Sequence, residues 1–190
     1  LSRTKSKIIS GLSQVLERSN TNISVREVIV RALAAYSLHP KFRQDFVPAG
    51  VVKQLIKCAT CVSGSLVDTD ACIGNAMAVL SNITTTDDRV LPQIHNLGAS
   101  SDLLHLLSLQ KFNKVPATRV AIVLSRCVRY PSIAESLRNK KNTGEIVKVL
   151  NTSADNIELR EKAILILATV LGEGDNIIVI NKLKQEKCIQ

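Results

Sequence analysis

Apolar residues recur along the chain with helical spacing, in four segments that resemble one another. The segments are residues 30–36, 77–83, 121–127 and 164–170. Each has a central leucine, and these leucines, Leu33, Leu80, Leu124 and Leu167, are 47, 44 and 43 residues apart. Further apolar residues lie three or four positions before each leucine, which is the spacing of one helix face. The pattern therefore predicts four helices that repeat along the chain.

A second helical pattern precedes each of these segments. Its apolar residues are Ile9-Leu12-Val15-Leu16, Val52-Leu55-Ile56, Leu103-Leu104-Leu107 and Ile146-Val149-Leu150. Glycine or serine stands before three of these helices, at Gly50, at Ser100 with Ser101, and at Gly144. We expect those three helices to begin just after these residues.

A shorter segment joins each long helix to the next unit and opens with a turn. The turns are His39-Pro40, Thr86-Asp87-Asp88, Tyr130-Pro131 and Glu173-Gly174-Asp175. Proline suits a first helical turn and aspartate suits an N-cap, so each segment is expected to hold a short helix. A unit of one short and two longer helices with a period of about 40–47 residues is typical of HEAT and armadillo repeats.

The period divides the chain into stacked units of a single domain, 1–190. We predict a partial first unit at residues 1–38, three units at 39–84, 85–129 and 130–171, and a partial last unit at 172–190. One such unit cannot bury its own apolar face, so neighbouring units are expected to stack and form a concave groove.

Two stretches carry a family resemblance. Residues 40–56 resemble the armadillo pattern, in which a short helix ends at Ala-Gly (here Ala49-Gly50) before an apolar second helix. Leu80-Ser81-Asn82-Ile83 is similar to the family's third-helix motif Leu-x-Asn-Leu. The resemblance covers nearly the whole chain and implies an all-α fold, a right-handed armadillo/HEAT-like α-solenoid whose third helices line a groove that binds extended peptides.

The resemblance also implies which positions line that groove. Nuclear import receptors of the family use a Trp and, four positions later, an Asn on each third helix. The Trp positions hold Arg31, Ala78, Ile122 and Leu165 here, and the Asn positions hold Ala35, Asn82, Arg126 and Thr169. Only Asn82 matches and the chain has no Trp, so we expect a ligand other than lysine-rich import signals.

Three arginines are candidates for binding an acidic partner in the groove, as other armadillo proteins do. They are Arg31, Arg119 and Arg126. Arg119 and Arg126 are seven residues apart and share a helix face, and a guanidinium offers a planar pair of donors to a carboxylate. The alternative for Arg31 is a surface ion pair with Glu27 at i,i+4.

The remaining groove candidates each have two interpretations. Asn82 either bonds the backbone of a bound peptide or bridges within its own repeat. Ile122 and Leu165 either form an apolar groove floor or belong to the core, and we favour the core. An apolar floor beside arginines would suit a protein segment of mixed acidic and apolar character.

Charge is distributed in blocks along the chain. The net charge of +9 comprises +7 in residues 1–57, −4 in 58–110, +7 in 111–148 and −1 in 149–190. This predicts separate patches and not a continuous track for nucleic acid. Electrostatic binding of nucleic acid or another acidic surface remains the alternative function. The run Arg138, Lys140 and Lys141 is expected in a loop on another face, where it is either solvated or meets such a surface.

Composition indicates how the core is built. Aromatic residues make up 3% of the chain, so Leu, Ile, Val and Ala are expected to fill the core. Few aromatic side chains also means few platforms on which the bases of single-stranded nucleic acid stack. We therefore expect a protein partner and not a nucleic acid.

The chain shows no pattern that predicts catalysis, a metal or a cofactor. Cys58 and Cys61 form a Cys-x-x-Cys motif, but zinc would need two more ligands, for which Cys72 and His39 are the candidates. The alternative, which we favour, is that these cysteines are small core residues. The three histidines lack the partner spacing of a nucleophilic or metal site, so we predict a protein that is not an enzyme.

Cysteine usage and apolar runs bear on location and assembly. Five cysteines, an odd number, indicate free thiols in a reducing compartment, which favours an intracellular, cytoplasmic or nuclear protein. The longest apolar run, residues 163–171, is about half a membrane span, so no membrane-spanning helix is expected. The apolar residues 177–180 are expected either to dock on a continuation of the repeat array or to mediate self-association through its ends.

Overall fold

The chain is all-helical. A computed structural model describes residues 2–18, 22–60, 66–109 and 113–185, with side chains for 6–18, 22–60, 69–109 and 113–172. Within these ranges every regular element is a helix and none is a strand. The helices are α1 (Ser2–Arg18), α2 (Ile23–Ser37), α3 (Pro40–Arg43), α4 (Val51–Thr60), α5 (Leu66–Ile83), α6 (Val90–Asn96), α7 (Ala99–Ser108), α8 (Lys114–Cys127), α9 (Pro131–Leu137), α10 (Lys140–Thr152) and α11 (Ile157–Gln185).

Helices in equivalent positions of the units contact one another. The long helices form one row, in which α2 contacts α5, α5 contacts α8 and α8 contacts α11. The helices before them form a second row, in which α1 contacts α4, α4 contacts α7 and α7 contacts α10. The rows are joined because α4 packs against α5, α7 against α8 and α10 against α11. The predicted unit boundaries fall between helices, except that 171/172 lies at a break within α11.

Local chemistry explains where several helices begin. Pro40 and Pro131 occupy the first turns of α3 and α9, where the missing N–H costs nothing. Gly50 and Gly98 precede α4 and α7 with φ of +70° and +64°. Residues with a side chain rarely adopt these angles, so glycine allows the chain to reverse between the short helix and the next one.

The starts predicted for α7 and α10 are wrong. α7 begins at Ala99, directly after the left-handed Gly98, so Ser100 and Ser101 lie inside the helix. α10 begins at Lys140, because the side chain of Asn139 accepts a hydrogen bond of 2.9 Å from the backbone N–H of Asn142 and caps the helix there. Gly144 is therefore within the second turn of α10 and does not precede it.

Aliphatic side chains fill the space between the two rows. The four repeated leucines, Leu33, Leu80, Leu124 and Leu167, are all buried, so they mark the side of each long helix that faces the core. Phe46, in the turn before α4, is a fully buried aromatic residue. The rest of the core is mainly Leu, Ile, Val and Ala, the composition that lets helices pack closely.

α11 is interrupted at Gly172, one residue before the predicted turn Glu173-Gly174-Asp175. Gly172 has φ of +76° and ψ of −178°, which is not helical and requires glycine. The guanidinium of Arg138 lies beside this break, and its Nε donates to the backbone oxygen of Val170 at 2.8 Å. The first part of α11 therefore ends where a charged side chain satisfies one of its last carbonyls.

Candidate partner-binding surface

The groove positions implied by the resemblance lie on neighbouring helices of the long-helix row. We use the name groove surface for Arg31, Ala35, Ala78, Asn82, Arg119, Ile122, Arg126, Leu165 and Thr169. All nine are exposed or half-buried, whereas the leucine two positions after each of Arg31, Ala78, Ile122 and Leu165 is buried. α2, α5, α8 and α11 pack side by side, so these positions lie on four adjacent helices.

Arg31 is exposed and forms the ion pair predicted as its alternative role. Its Nε lies 3.8 Å from Glu27 Oε1, one helical turn earlier on α2. The same carboxylate oxygen accepts a hydrogen bond of 3.3 Å from Asn75 Nδ2 on α5. Glu27 thus connects α2 to α5, and the Arg31 guanidinium stays exposed to solvent at the edge of this link.

Asn82 contacts the preceding unit. Its Nδ2 donates to Ser37 Oγ at 2.9 Å, and the Ser37 hydroxyl in turn donates to the backbone oxygen of Ala34 at 2.7 Å. The bond therefore ties α5 to the C-terminal end of α2, in the preceding unit and not in its own repeat as one of the two predictions had it. Ala35 is exposed and Ala78 is half-buried.

Arg119 lies across the surface of α5. Its Nη1 donates to the backbone oxygen of Gly74 at 2.8 Å. A Cβ atom at position 74 would lie 3.4 Å from that same Nη1 and 3.8 Å from Pro116 Cγ. The glycine therefore lets the arginine and the proline of α8 approach the backbone of α5 closely.

Arg126 makes the same kind of contact two turns further along α8. Its Nη1 donates to the backbone oxygen of Ser81, and also to Ser81 Oγ at 2.8 Å and Thr84 Oγ1 at 3.4 Å. Burial, and after it the nearby charge of Arg129, lowers the pKa of the Arg126 guanidinium. The two groove arginines of α8 are therefore both anchored on α5.

The apolar candidates differ in their burial. Leu165 is 39% exposed, so the core interpretation is wrong for this residue. It lies on the solvent side of α11, because Ile166 and Leu167 beside it take the core positions. Ile122 is half-buried on α8, which packs between α5 and α11. Thr169 is half-buried and its hydroxyl donates to the backbone oxygen of Leu165 at 2.8 Å, within the same helix.

The basic run at residues 138–141 is not a single loop cluster. Arg138 lies in the turn before α10, donates to Val170, and pairs through Nη1 with Glu135 Oε2 at 3.0 Å. Lys140 and Lys141 are exposed in the first turn of α10, contrary to the predicted loop. The Asn139 cap causes this difference, since it starts the helix before the lysines.

Sequence reasoning missed two arginines that tie adjacent units together. Arg43 Nε donates to the backbone oxygen of Ser37 at 2.7 Å, at the C-terminal end of α2. Arg89 Nη2 donates to the backbone oxygen of Gln44 at 3.1 Å, and its guanidinium also bonds to both carboxylate oxygens of Asp87. Both arginines stand four residues after the first residue of a predicted unit, and that shared position was the available signal.

The cysteines for which the structure describes side chains are buried. Cys58, Cys72 and Cys127 are free thiols, while Cys61 and Cys188 lie outside the described residues. The hydrogen bond to the Cys58 thiol, and after it burial, raises the pKa of Cys72, and burial raises the pKa of Cys127 to about 12. Among the described residues, no group of three or more His, Cys, Asp or Glu side chains could hold a metal.

One further cavity lies away from the groove surface, between α1, the turn before α4, and α6. Its volume is about 350 Å³, and it is lined by Ser13, Gln14, Glu17, Ala49, Gly50, Lys53, Gln54, Gln93, Asn96 and Leu97. Gln54 and Ser13 are buried polar side chains of this lining.

The described helices include none that is both long and apolar enough to cross a lipid bilayer.

Comparison with known proteins bears on the fold alone. No family model matches the chain, and no curated protein sequence matches it. Its structure is similar to the crystal structure of an engineered protein, a Northeast Structural Genomics Consortium target, with a TM-score of 0.71. The two sequences are 21% identical, and the match covers 95% of this chain and 69% of that chain. The two chains therefore share an all-helical fold.

Proposed function

We propose that the chain is a non-enzymatic armadillo-type binding module, a right-handed α-solenoid that holds a segment of a partner protein on the groove surface. The observation that supports this proposal is that exposed and buried positions alternate on the long helices. Arg31, Ala78, Ile122 and Leu165 are exposed or half-buried, and the leucines two positions later are buried. The side-by-side contacts of α2, α5, α8 and α11 support this proposal, because they bring the helices that carry these positions next to one another.

The side chains of the groove surface indicate the chemistry of the partner. Arg31 is exposed, and the hydrogen bonds that Arg119 and Arg126 make with described residues use Nη1 alone. Nε and Nη2 of those two arginines make no hydrogen bond to a described residue, and a guanidinium pairs well with a carboxylate. Leu165 and Ile122 add aliphatic area next to these charges. An extended protein segment with acidic and aliphatic side chains fits this combination.

The proposal is tested with substitutions that alter the groove surface without removing contacts between helices. Arg31→Glu reverses an exposed charge, and Leu165→Asp places a charge on exposed aliphatic area. Lys148→Glu is the matched control, because Lys148 is exposed on α10 in the other row of helices. The ligands come from a random linear-peptide display library that is selected on the wild-type chain.

We expect selection to enrich peptides that combine Asp or Glu with aliphatic residues. Arg31→Glu and Leu165→Asp should each weaken their binding roughly tenfold or more, since each interaction of this kind is worth about 1–2 kcal/mol. Lys148→Glu should bind them as the wild type does. Enriched peptides that bind all four proteins equally, or a selection that enriches no peptide, would contradict the proposal. Arg119 and Arg126 are unsuitable for this test, because their loss would also disturb α5.

A further inference from the structure

The cavity between α1, α4 and α6 lies where three predicted units meet. Its walls are residues 13–17 of α1, residues 49–54 around the start of α4, and residues 93–97 around the end of α6. We use the name inter-unit cavity for this space. Its volume of about 350 Å³ is within the range of small-molecule sites, roughly 300–1,000 Å³. Because each wall belongs to a different unit, the packing of the units on one another forms the cavity.

Two buried side chains of the inter-unit cavity lack hydrogen-bond partners. Ser13 and Gln54 are each 4% exposed, and neither side chain makes a hydrogen bond to a described residue. Four buried serines elsewhere donate to a backbone carbonyl three residues earlier, namely Ser37, Ser108, Ser125 and Ser153. A buried polar group without a partner destabilises the folded chain. A molecule in the cavity that bonds to Ser13 and Gln54 would therefore be stabilised there.

The burial of Gln54 distinguishes this place from the next unit. Gln54 and Asp102 each stand four residues after a left-handed glycine, Gly50 in one unit and Gly98 in the next. Gln54 is buried, whereas Asp102 is exposed. The buried amide is therefore a feature of this cavity and not a general consequence of stacking the units.

The rest of the lining is rich in amide side chains. Gln93 is half-buried, Gln14 and Asn96 are exposed, and none of the three side chains makes a hydrogen bond to a described residue. A primary amide has N–H donors and an acceptor oxygen. It can therefore bond to the C=O and the N–H of a peptide group, so four such side chains around one cavity suit a ligand that contains peptide groups.

The lining also carries one charge of each sign. Glu17 on α1 and Lys53 on α4 are exposed, and these two described side chains form no ion pair with each other. α1 packs against α4, and the axes of packed helices are about 8–10 Å apart. Three residues of extended chain span about 10 Å. A peptide of this length would therefore reach from one charged side chain to the other.

We propose that the inter-unit cavity binds a short peptide of about three residues with free termini. The amino terminus of the peptide pairs with Glu17, and its carboxylate pairs with Lys53. Its peptide groups bond to Gln54 and the other amides, and its small aliphatic side chains contact Ala49 and Leu97. The site shares no residue with the groove surface, so the proposal is independent of the partner segment that the groove surface holds.

A titration of the ¹⁵N-labelled chain with trialanine tests the site. We expect trialanine to shift the side-chain amide signals of Gln54, which are identified by their loss in Gln54→Met. The dissociation constant should be roughly 0.1–1 mM, which is usual for a ligand of this size. Trialanine with acetylated and amidated ends keeps its peptide groups but lacks both charges. It should bind roughly tenfold more weakly, because each exposed ion pair contributes roughly threefold.

Two variants with matched controls identify the residues that bind the peptide. Gln54→Met removes the buried amide and should weaken binding about tenfold or more, since peptide groups of the ligand lose their partner. Gln44→Met makes the same change at an exposed glutamine outside the lining. Lys53→Gln should weaken binding roughly threefold. Its control is Lys57→Gln, which lies one turn later on α4 and is exposed. Both controls should bind trialanine as the wild type does.

Three results would overturn the proposal. They are unchanged signals of the lining residues at about 10 mM trialanine, equal affinity for free and capped trialanine, and equal affinity of Gln54→Met and Gln44→Met. Circular dichroism shows whether each variant is folded, and the exposed Lys53 tests the site even if Gln54→Met unfolds. Leu165→Asp alters the groove surface alone and should bind trialanine as the wild type does, so a failure of this proposal is distinguishable from a failure of the proposed function.

Discussion

At the scale of single residues, arginine side chains hold one unit to the preceding unit. Arg43 bonds to the end of α2, and Arg126 bonds to the backbone of Ser81 near the end of α5. The last carbonyls of a helix lack partners within the helix, and a positive charge there is also favoured by the helix dipole. An arginine that a sequence motif suggests as a ligand-binding residue can therefore have a structural role as well.

Replacing Arg126 tests this structural role. Arg126→Ala removes charge-assisted hydrogen bonds to Ser81, so we expect it to lower the free energy of unfolding by about 1.5–3 kcal/mol. Arg129→Ala removes an exposed arginine two residues beyond α8 and should change the free energy of unfolding by less than about 0.5 kcal/mol. Urea unfolding followed by circular dichroism measures both values. Equal stability of the two variants would show that Arg126 does not hold α8 to α5.

At the scale of helices, glycine has opposite effects on stability at two positions. Gly98 stands before α7 with φ of +64°, whereas Gly144 lies inside α10 with no neighbouring atom within 4 Å of where a Cβ would be. The repeat pattern suggested that glycine marks a helix start at both Gly50 and Gly144. This was wrong for Gly144, because the side chain of Asn139 caps α10 and the helix begins at Lys140, before the glycine.

Alanine substitutions at these two glycines should therefore shift stability in opposite directions. Gly98→Ala forces a side chain into a left-handed conformation and should cost about 1–2 kcal/mol of unfolding free energy. Gly144→Ala should add about 0.5–1 kcal/mol, because alanine favours a helix interior over glycine. Thermal unfolding of the two variants beside the wild type measures the difference. A loss of stability in Gly144→Ala would contradict the position of α10.

At the scale of the whole molecule, one of the contacts between units depends on pH. Asp87 accepts hydrogen bonds from Arg89, and Arg89 also bonds to Gln44 of the preceding unit. The side-chain hydrogen bond from Arg89 lowers the pKa of the Asp87 carboxyl. A carboxyl whose pKa is lowered by folding stabilises the folded state above its unfolded pKa of about 3.9, and the contribution is lost as the pH falls through the folded value.

Asp87→Asn should therefore destabilise the chain at neutral pH and have a smaller effect in strong acid. Urea unfolding of wild type and variant at pH 7, and again below the lowered pKa of Asp87, measures the two differences. Asp88→Asn serves as the control, because Asp88 is exposed beside it. A difference between wild type and Asp87→Asn that is the same at both pH values would contradict the role of the ionised carboxyl.

The sequence predicted the helices and their buried sides more completely than the contacts of residues at the surface. The leucine pattern identifies Leu33, Leu80, Leu124 and Leu167, and all four are buried. Burial of a periodic apolar face is a local property of each helix, so spacing alone reveals it. The contacts of Asn82 and Arg119 depend on which helix lies opposite, at a separation of 45 residues in each case. Spacing within one helix contains no information about such a partner.

The sequence by itself determined the all-helical fold and the side of each long helix that faces the core. It did so because apolar periodicity, proline and turn residues act within a few residues of one another. The tertiary structure decided that Leu165 is exposed and that the arginines of α8 bond to α5. Those outcomes depend on whether another helix covers a given position, and only the packing of one unit on the next settles that.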